Sequence, residues 1–127
     1  MHKLLFLLFC SILLLACSHK NGPVIFYNKR IINLGNIEFN KAFSGKILIK
    51  NTGDEILKIL DVTADCSCTV PDAENKKISP GDTAYIHFIL TPAQDGFIQQ
   101  SIYVNNNSVN ENRVLFLIRA KVNLLNK

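Results

Sequence analysis

From residue 24 onward, apolar and polar residues alternate with a period of two along most of the chain. Ala84, Ile86, Phe88 and Leu90 alternate with Thr83, Tyr85, His87 and Ile89. Val114, Phe116, Ile118, Ala120 and Val122 alternate with Leu115, Leu117, Arg119 and Lys121. Phe43, Gly45, Ile47 and Ile49 alternate with Ser44, Lys46, Leu48 and Lys50. Successive side chains of a strand point to opposite faces, so this period predicts strands with one face buried. Ile31–Leu34, Ile56–Ala64 and Phe97–Val104 add apolar, β-branched runs. Turn clusters separate them: Gly35-Asn36, Asn51-Thr52-Gly53-Asp54, Ser79-Pro80-Gly81-Asp82, Thr91-Pro92 and Gln94-Asp95-Gly96. No helical period of useful length follows residue 23. About seven short strands at this spacing predict an all-β, antiparallel β-sandwich; a β-barrel is the alternative architecture.

The first twenty residues break the pattern. His2 and Lys3 precede an apolar run from Leu4 to Leu15 that ends at Ala16-Cys17. A bilayer-spanning helix needs about 20 apolar residues, and this shorter run suits the apolar core of a secretory signal. Leu14-Leu15-Ala16-Cys17 resembles the bacterial lipoprotein lipobox, in which the cysteine thiol receives a diacylglycerol before cleavage on its amino side. The resemblance implies a lipoprotein signal peptide over residues 1–16, lipidation of Cys17, a lipidated tether over 17–23 and one domain over 24–127. Ser18 is not an aspartate, and residues 19–23 hold no acidic cluster. By the same resemblance the protein is anchored in the bacterial cell envelope, at the outer membrane facing the periplasm.

The chain has 127 residues, enough for one domain, and its net charge is +4. Its basic residues are scattered, with Lys76–Lys77 and Lys29–Arg30 as adjacent pairs. Nucleic-acid binding needs positive charge gathered along one stripe, so no nucleic-acid partner is expected. Of the four cysteines, Cys10 leaves with the signal and Cys17 carries lipid. Cys66 and Cys68 remain, in a compartment where disulfides persist. In an extended strand their Cα atoms stand about 6.5–7 Å apart, near the limit for a disulfide, so a bond requires a local kink. As read from the residues, the pair continues the face of Leu60, Val62 and Ala64, and Val70-Pro71 ends the run. It is a local structural element, reduced or disulfide-bonded, in preference to a redox or metal centre. A metal site lacks ligands, because the mature chain adds just His19, in the tether, and His87. No nucleophile elbow, zinc-protease motif or phosphate loop occurs. Asp61, Asp65, Asp72 and Glu74 read as solvated carboxylates, leaving no catalytic residue, metal or cofactor to assign.

Leu34-Gly35-Asn36-Ile37, Ile49-Lys50-Asn51-Thr52-Gly53, Asp65-Cys66-Ser67-Cys68-Thr69-Val70-Pro71, Ile78-Ser79-Pro80-Gly81-Asp82 and Asp95-Gly96-Phe97 follow one another in this order. Together they resemble a family of secreted bacterial proteins of unknown function. Its hallmark is a C-G-C-T-x-P segment between an N-T-G turn and a P-G turn. The resemblance covers residues 31–122 and implies an immunoglobulin-like domain of the Hydin and major-sperm-protein kind. Ser67 departs from it, standing where the family has glycine. The expected function is non-enzymatic: a protein-binding or structural accessory module of the envelope. The 105–112 loop or an edge strand is the expected contact. The alternative is a periplasmic thiol-redox or copper-binding module acting through Cys66 and Cys68.

Overall fold

A computed structural model describes His2 and residues 21–124. The lipobox, Cys10, Cys17 and His19 lie outside the described residues. Among the described residues nine strands follow in order: β1 (Ile25–Phe26), β2 (Ile31–Glu38), β3 (Phe43–Asn51), β4 (Leu57–Ala64), β5 (Thr69–Ala73), β6 (Lys77–Ile78), β7 (Thr83–Leu90), β8 (Gly96–Asn106) and β9 (Arg113–Asn123). They form two sheets, β1-β3-β7-β5 and β2-β9-β8-β4-β6. This is an immunoglobulin-like sandwich. Its strand count exceeds the expected seven because the first strand is split in two and the two-residue β6 is added. The pairing is antiparallel except between β2 and β9, which run parallel. That exception follows from the split: β1 pairs with β3 in one sheet, then the chain crosses over and β2 joins the other.

The alternation read from β3, β7 and β9 holds. Ile47, Ile49, Ile86, Phe88, Leu90, Phe116 and Ile118 fill the space between the sheets. Gly45 stands opposite Phe88 across the β3–β7 pair, and a Cβ there would overlap the Phe88 ring. The glycine is therefore the seat of the largest side chain of its sheet's core.

Two runs differ from the sequence reading. Gly35-Asn36 does not end a strand. The β2–β9 register shifts between Asn33 and Asn36, and Gly35 takes a φ of 72° there. The bulge moves the inward phase from Ile32 and Leu34 to Ile37. β4 carries a second shift between Ile59 and Asp61. Its inward phase passes from Leu57 and Ile59 to Val62 and Ala64, leaving Leu60 63% exposed.

One end of the sandwich is closed around the side chain of Asn51, which is 0% exposed. Its Nδ2 donates to the carbonyls of Glu55 (2.7 Å) and Ile78 (2.9 Å). Its Oδ1 accepts from the amides of Gly53 (3.0 Å) and Val24 (3.4 Å). One amide thus ties the incoming chain, the β3–β4 turn and β6. Gly53 lies so close to Gly22 and Val24 that any Cβ would overlap their main chain. The other end holds the β2–β3 turn, the β4–β5 connection and the β7–β8 turn. β3 spans nine residues between the ends, about 26 Å of strand rise.

Asn51→Ala would leave buried carbonyls and amides unpaired. It is expected to cost about 3 kcal/mol of unfolding free energy, read from urea denaturation. Asn51→Asp, which loses the Nδ2 donors, should not restore stability near neutral pH.

Candidate functional site

Cys66 and Cys68 are joined by a disulfide, with their Cα atoms 5.2 Å apart. They do not continue the face of Leu60, Val62 and Ala64. β4 ends at Ala64, and Asp65–Cys68 carries the chain from the five-stranded sheet to β5 of the four-stranded one. The kink that the bond requires is this crossing. The Thr69 amide donates to the Cys66 carbonyl (3.1 Å), closing a turn. The Cys68 amide donates to Cys66 Sγ (3.1 Å), and the Cys68 carbonyl accepts from Thr91 (2.8 Å). Asp65 is fixed on β8: its amide donates to the Ser101 carbonyl (3.2 Å), and its Oδ1 accepts from the Ser101 amide (3.0 Å). Nor does Pro71 end a run. It lies within β5, an edge strand, where a missing N–H need cost no ladder bond.

The disulfide borders a pocket of about 220 Å³ whose other walls include Pro92, Gln94, Phe97 and Gln100. No charged side chain lines it. The geometry fits a clamp on the sheet crossing. Phe97, 86% exposed, also forms the wall of a neighbouring basin of about 530 Å³ on the outer face of β2, β9 and β8. That face carries Asn33, Asn36, Gln99, Arg119 and Lys121. The sequence reading placed Phe97, Arg119 and Lys121 on strands but did not bring them together.

Of the remaining candidates, three stand together in the exposed outer part of one sheet. His87 is exposed on β7, opposite Lys46 on one side and Asp72 on the other, with Nε2 4.0 Å from Glu74. Asp61 lies in the other sheet. Among the described residues no group of three or more His, Cys, Asp or Glu could hold a metal ion.

The 105–112 loop turns its polar side chains largely onto the domain itself. Asn110 donates to the Ile25 carbonyl (2.9 Å) and accepts from the Ile25 amide (3.0 Å), mimicking a strand partner for β1. Asn107 accepts from the Lys58 amide (2.7 Å), and buried Asn106 accepts from the Ser108 amide (2.8 Å). Glu111 accepts from the Tyr27 hydroxyl (2.6 Å) and from Arg30 (2.8 Å). Burial alone would raise the Glu111 pKa. The hydrogen bonds from Tyr27 and Arg30 outweigh it and hold the carboxyl below its ordinary value. Burial, then Glu111, raises the Tyr27 pKa, and the hydrogen bond to Glu111 raises that of Arg30. The cluster pins the β1–β2 crossing to the loop.

A family described as "Protein of unknown function (DUF1573)" matches residues 25–122. No curated protein matches the sequence. Among solved structures, a protein of unknown function from Porphyromonas gingivalis W83 superposes with a TM-score of 0.72 at 16% identity, over 84% of this chain and 50% of that one. The PapD-like domain 7 of human CEP192 gives 0.65 at 8% identity, over 87% of this chain and 93% of that domain. The VesB protease of Vibrio cholerae gives 0.63 at 12% identity, over 89% of this chain and 35% of the protease. The chain thus spans half the length of the Porphyromonas protein and about a third of VesB. At these identities the likeness is one of fold.

Because the Cys66–Cys68 ring is so short, Cys66→Ser/Cys68→Ser should lose about 1.5 kcal/mol in denaturant melts while keeping the native spectrum. The depressed Glu111 pKa makes its contribution present above the ordinary carboxylate pKa and lost as pH falls through the folded value. Both partners are partly exposed, so Glu111→Gln should cost about 0.5–1 kcal/mol at pH 7. The deficit should shrink towards zero in melts at pH 3.

Proposed function

The chain belongs to the DUF1573 family of proteins of unknown function, and on that footing we propose that it is a non-enzymatic envelope lipoprotein that binds another protein. Cys17 carries the lipid, in the outer membrane facing the periplasm. The sandwich recognises its partner by strand addition at the open part of β3.

One observation supports this mode above others. The Asn51 amide and carbonyl face the β7 side, bonded to Asp82 (3.0 Å) and Gly81 (2.8 Å). Main-chain groups alternate sides along a strand, so those of Lys50 face β1, where Phe26 is its pair. Those of Leu48, Lys46 and Ser44 face the same edge. β1 ends at Phe26, and the chain then leaves for the other sheet. Three residues of β3 therefore present main-chain donors and acceptors with no neighbouring strand in their sheet among the described residues. Beside them a cleft of about 450 Å³ runs to Ile31 and Asn33 of β2, with Lys29 and Lys46 on its walls. Such an edge takes an extended peptide. Lys46 in its middle discourages pairing with a second copy and favours a segment bearing an acidic residue.

Lys46→Pro removes the central donor without touching the β7 ladder. A partner cross-linked to the protein in intact envelopes should be lost in this variant while the melting temperature stays near that of the wild type. Undiminished cross-linking in a folded Lys46→Pro protein would sink the edge mode. Separately, Cys17→Ala should move the protein from the membrane to the soluble fraction; unchanged fractionation would overturn the anchor.

A further inference from the structure

We propose that the outer face of β2, β9 and β8 is a binding site for an acidic saccharide. This is a second surface, which meets the cleft beside the β3 edge at Asn33. The strand registers set its layout. Asn33, Arg119 and Gln99 lie in one row across the three strands, and Asn36, Lys121 and Phe97 in the next. Neighbouring strands are about 4.8 Å apart, and same-face residues of one strand about 6.8 Å apart. The six side chains therefore cover a shallow rectangle of roughly 10 by 7 Å, the scale of one to two sugar rings.

The chemistry of this rectangle is specific. Arg119 and Lys121 are its charged members, and no carboxylate lines the basin. Arg119 Nε donates to Gln99 Oε1 (2.8 Å), which fixes the guanidinium plane. Its terminal nitrogens have no hydrogen-bond partner among the described residues, leaving a fork matched to a carboxylate. Asn36 Oδ1 accepts from Asn123 (3.3 Å), and its own Nδ2 has no hydrogen-bond partner among the described residues. Lys121 Nζ stands 5.7 Å from the centre of the Phe97 ring, so cation and ring form one corner. Phe97 is 86% exposed, at the start of β8 on a rigid sheet, yet covers none of the core. A flat exposed ring suits the C–H face of a pyranose, and amides and guanidinium suit its hydroxyls and carboxylate. The volume of about 530 Å³ lies in the range of small-ligand sites.

The β2 bulge completes the site. Gly35 has no side chain to stand over the basin, and nothing lies within 4 Å of where its Cβ would be. The register shift between Asn33 and Asn36 keeps both amides on the outer face, two strands from Phe97. A peptide fits this surface less well. The residues offered are side chains on a sheet face, and the main-chain edge of β2 runs along the border of the rectangle, not across it.

The test uses the full-length protein in detergent, titrated by calorimetry and by amide NMR. The probe is tri-galacturonate, with maltotriose and hexaglutamate as controls. Tri-galacturonate should bind saturably, shifting signals of Gln99, Arg119 and Lys121. Maltotriose should bind at least tenfold more weakly, as should hexaglutamate. Phe97→Ala and Arg119→Gln should each weaken tri-galacturonate about tenfold or more, with unchanged melting temperatures expected for exposed positions. Lys46→Pro should leave this binding intact, which separates the surface from the β3 edge. No saturable binding, binding insensitive to both substitutions, or equal binding of hexaglutamate would each overturn the proposal.

Discussion

One buried carboxamide holds the architecture in register. Asn51 is the last residue of β3, and its side chain reaches the incoming segment, the following turn and β6 at once. A buried amide left without partners is costly, so these segments must meet at this side chain or the end of the sandwich opens. The need for close approach extends to its neighbours, since Gly53 admits no side chain against Gly22 and Val24. A hydrophobic core would tolerate small slips between sheets. Four directed hydrogen bonds at one point tolerate far less.

At the opposite end one chain crossing is braced locally. β4 and β5 belong to different sheets, and Asp65–Cys68 makes the passage in four residues. So short a link must turn sharply. The disulfide, the turn bond from Thr69 and the Asp65–Ser101 contacts hold that turn. β1 and β2 make another crossing, nearer the Asn51 end, braced by Tyr27, Arg30 and Glu111. The two crossings have different consequences. The braced cysteine turn is closed. The β1–β2 crossing leaves half of β3 bare on one side.

Much of this was legible in the sequence because burial on one face imposes a period of two. β3, β7 and β9 could be read residue by residue. Wherever a bulge resets the phase, that logic failed. Leu60 reads as inward if β4 is regular, but the shift between Ile59 and Asp61 turns it to solvent. The same error carried the predicted face on to Cys66 and Cys68. Gly35-Asn36 looked like a turn because glycine at positive φ serves turns and bulges alike. The polar 105–112 loop reads as solvent-facing, and its asparagines also serve as main-chain partners for Ile25 and Lys58. No local pattern announces such pairing, because Asn110 and Ile25 are 85 residues apart. Arg119 and Lys121 read as outward on β9, but nothing in the apolar run from Phe97 marked that ring as exposed. The adjacency of the three depended on β9 lying between β8 and β2, which is a fact of topology.

The parallel pairing of β2 with β9 has a mechanical meaning. Both strands run from the Asn51 end towards the cysteine end. Tension applied to the start of β2 and to the end of β9 pulls the two strands past each other along their length. The hydrogen bonds between them are then loaded together, not peeled one by one. A domain held at its amino end and drawn away at its carboxyl end would resist as a shear clamp. The first element to yield under that load would be the short β1.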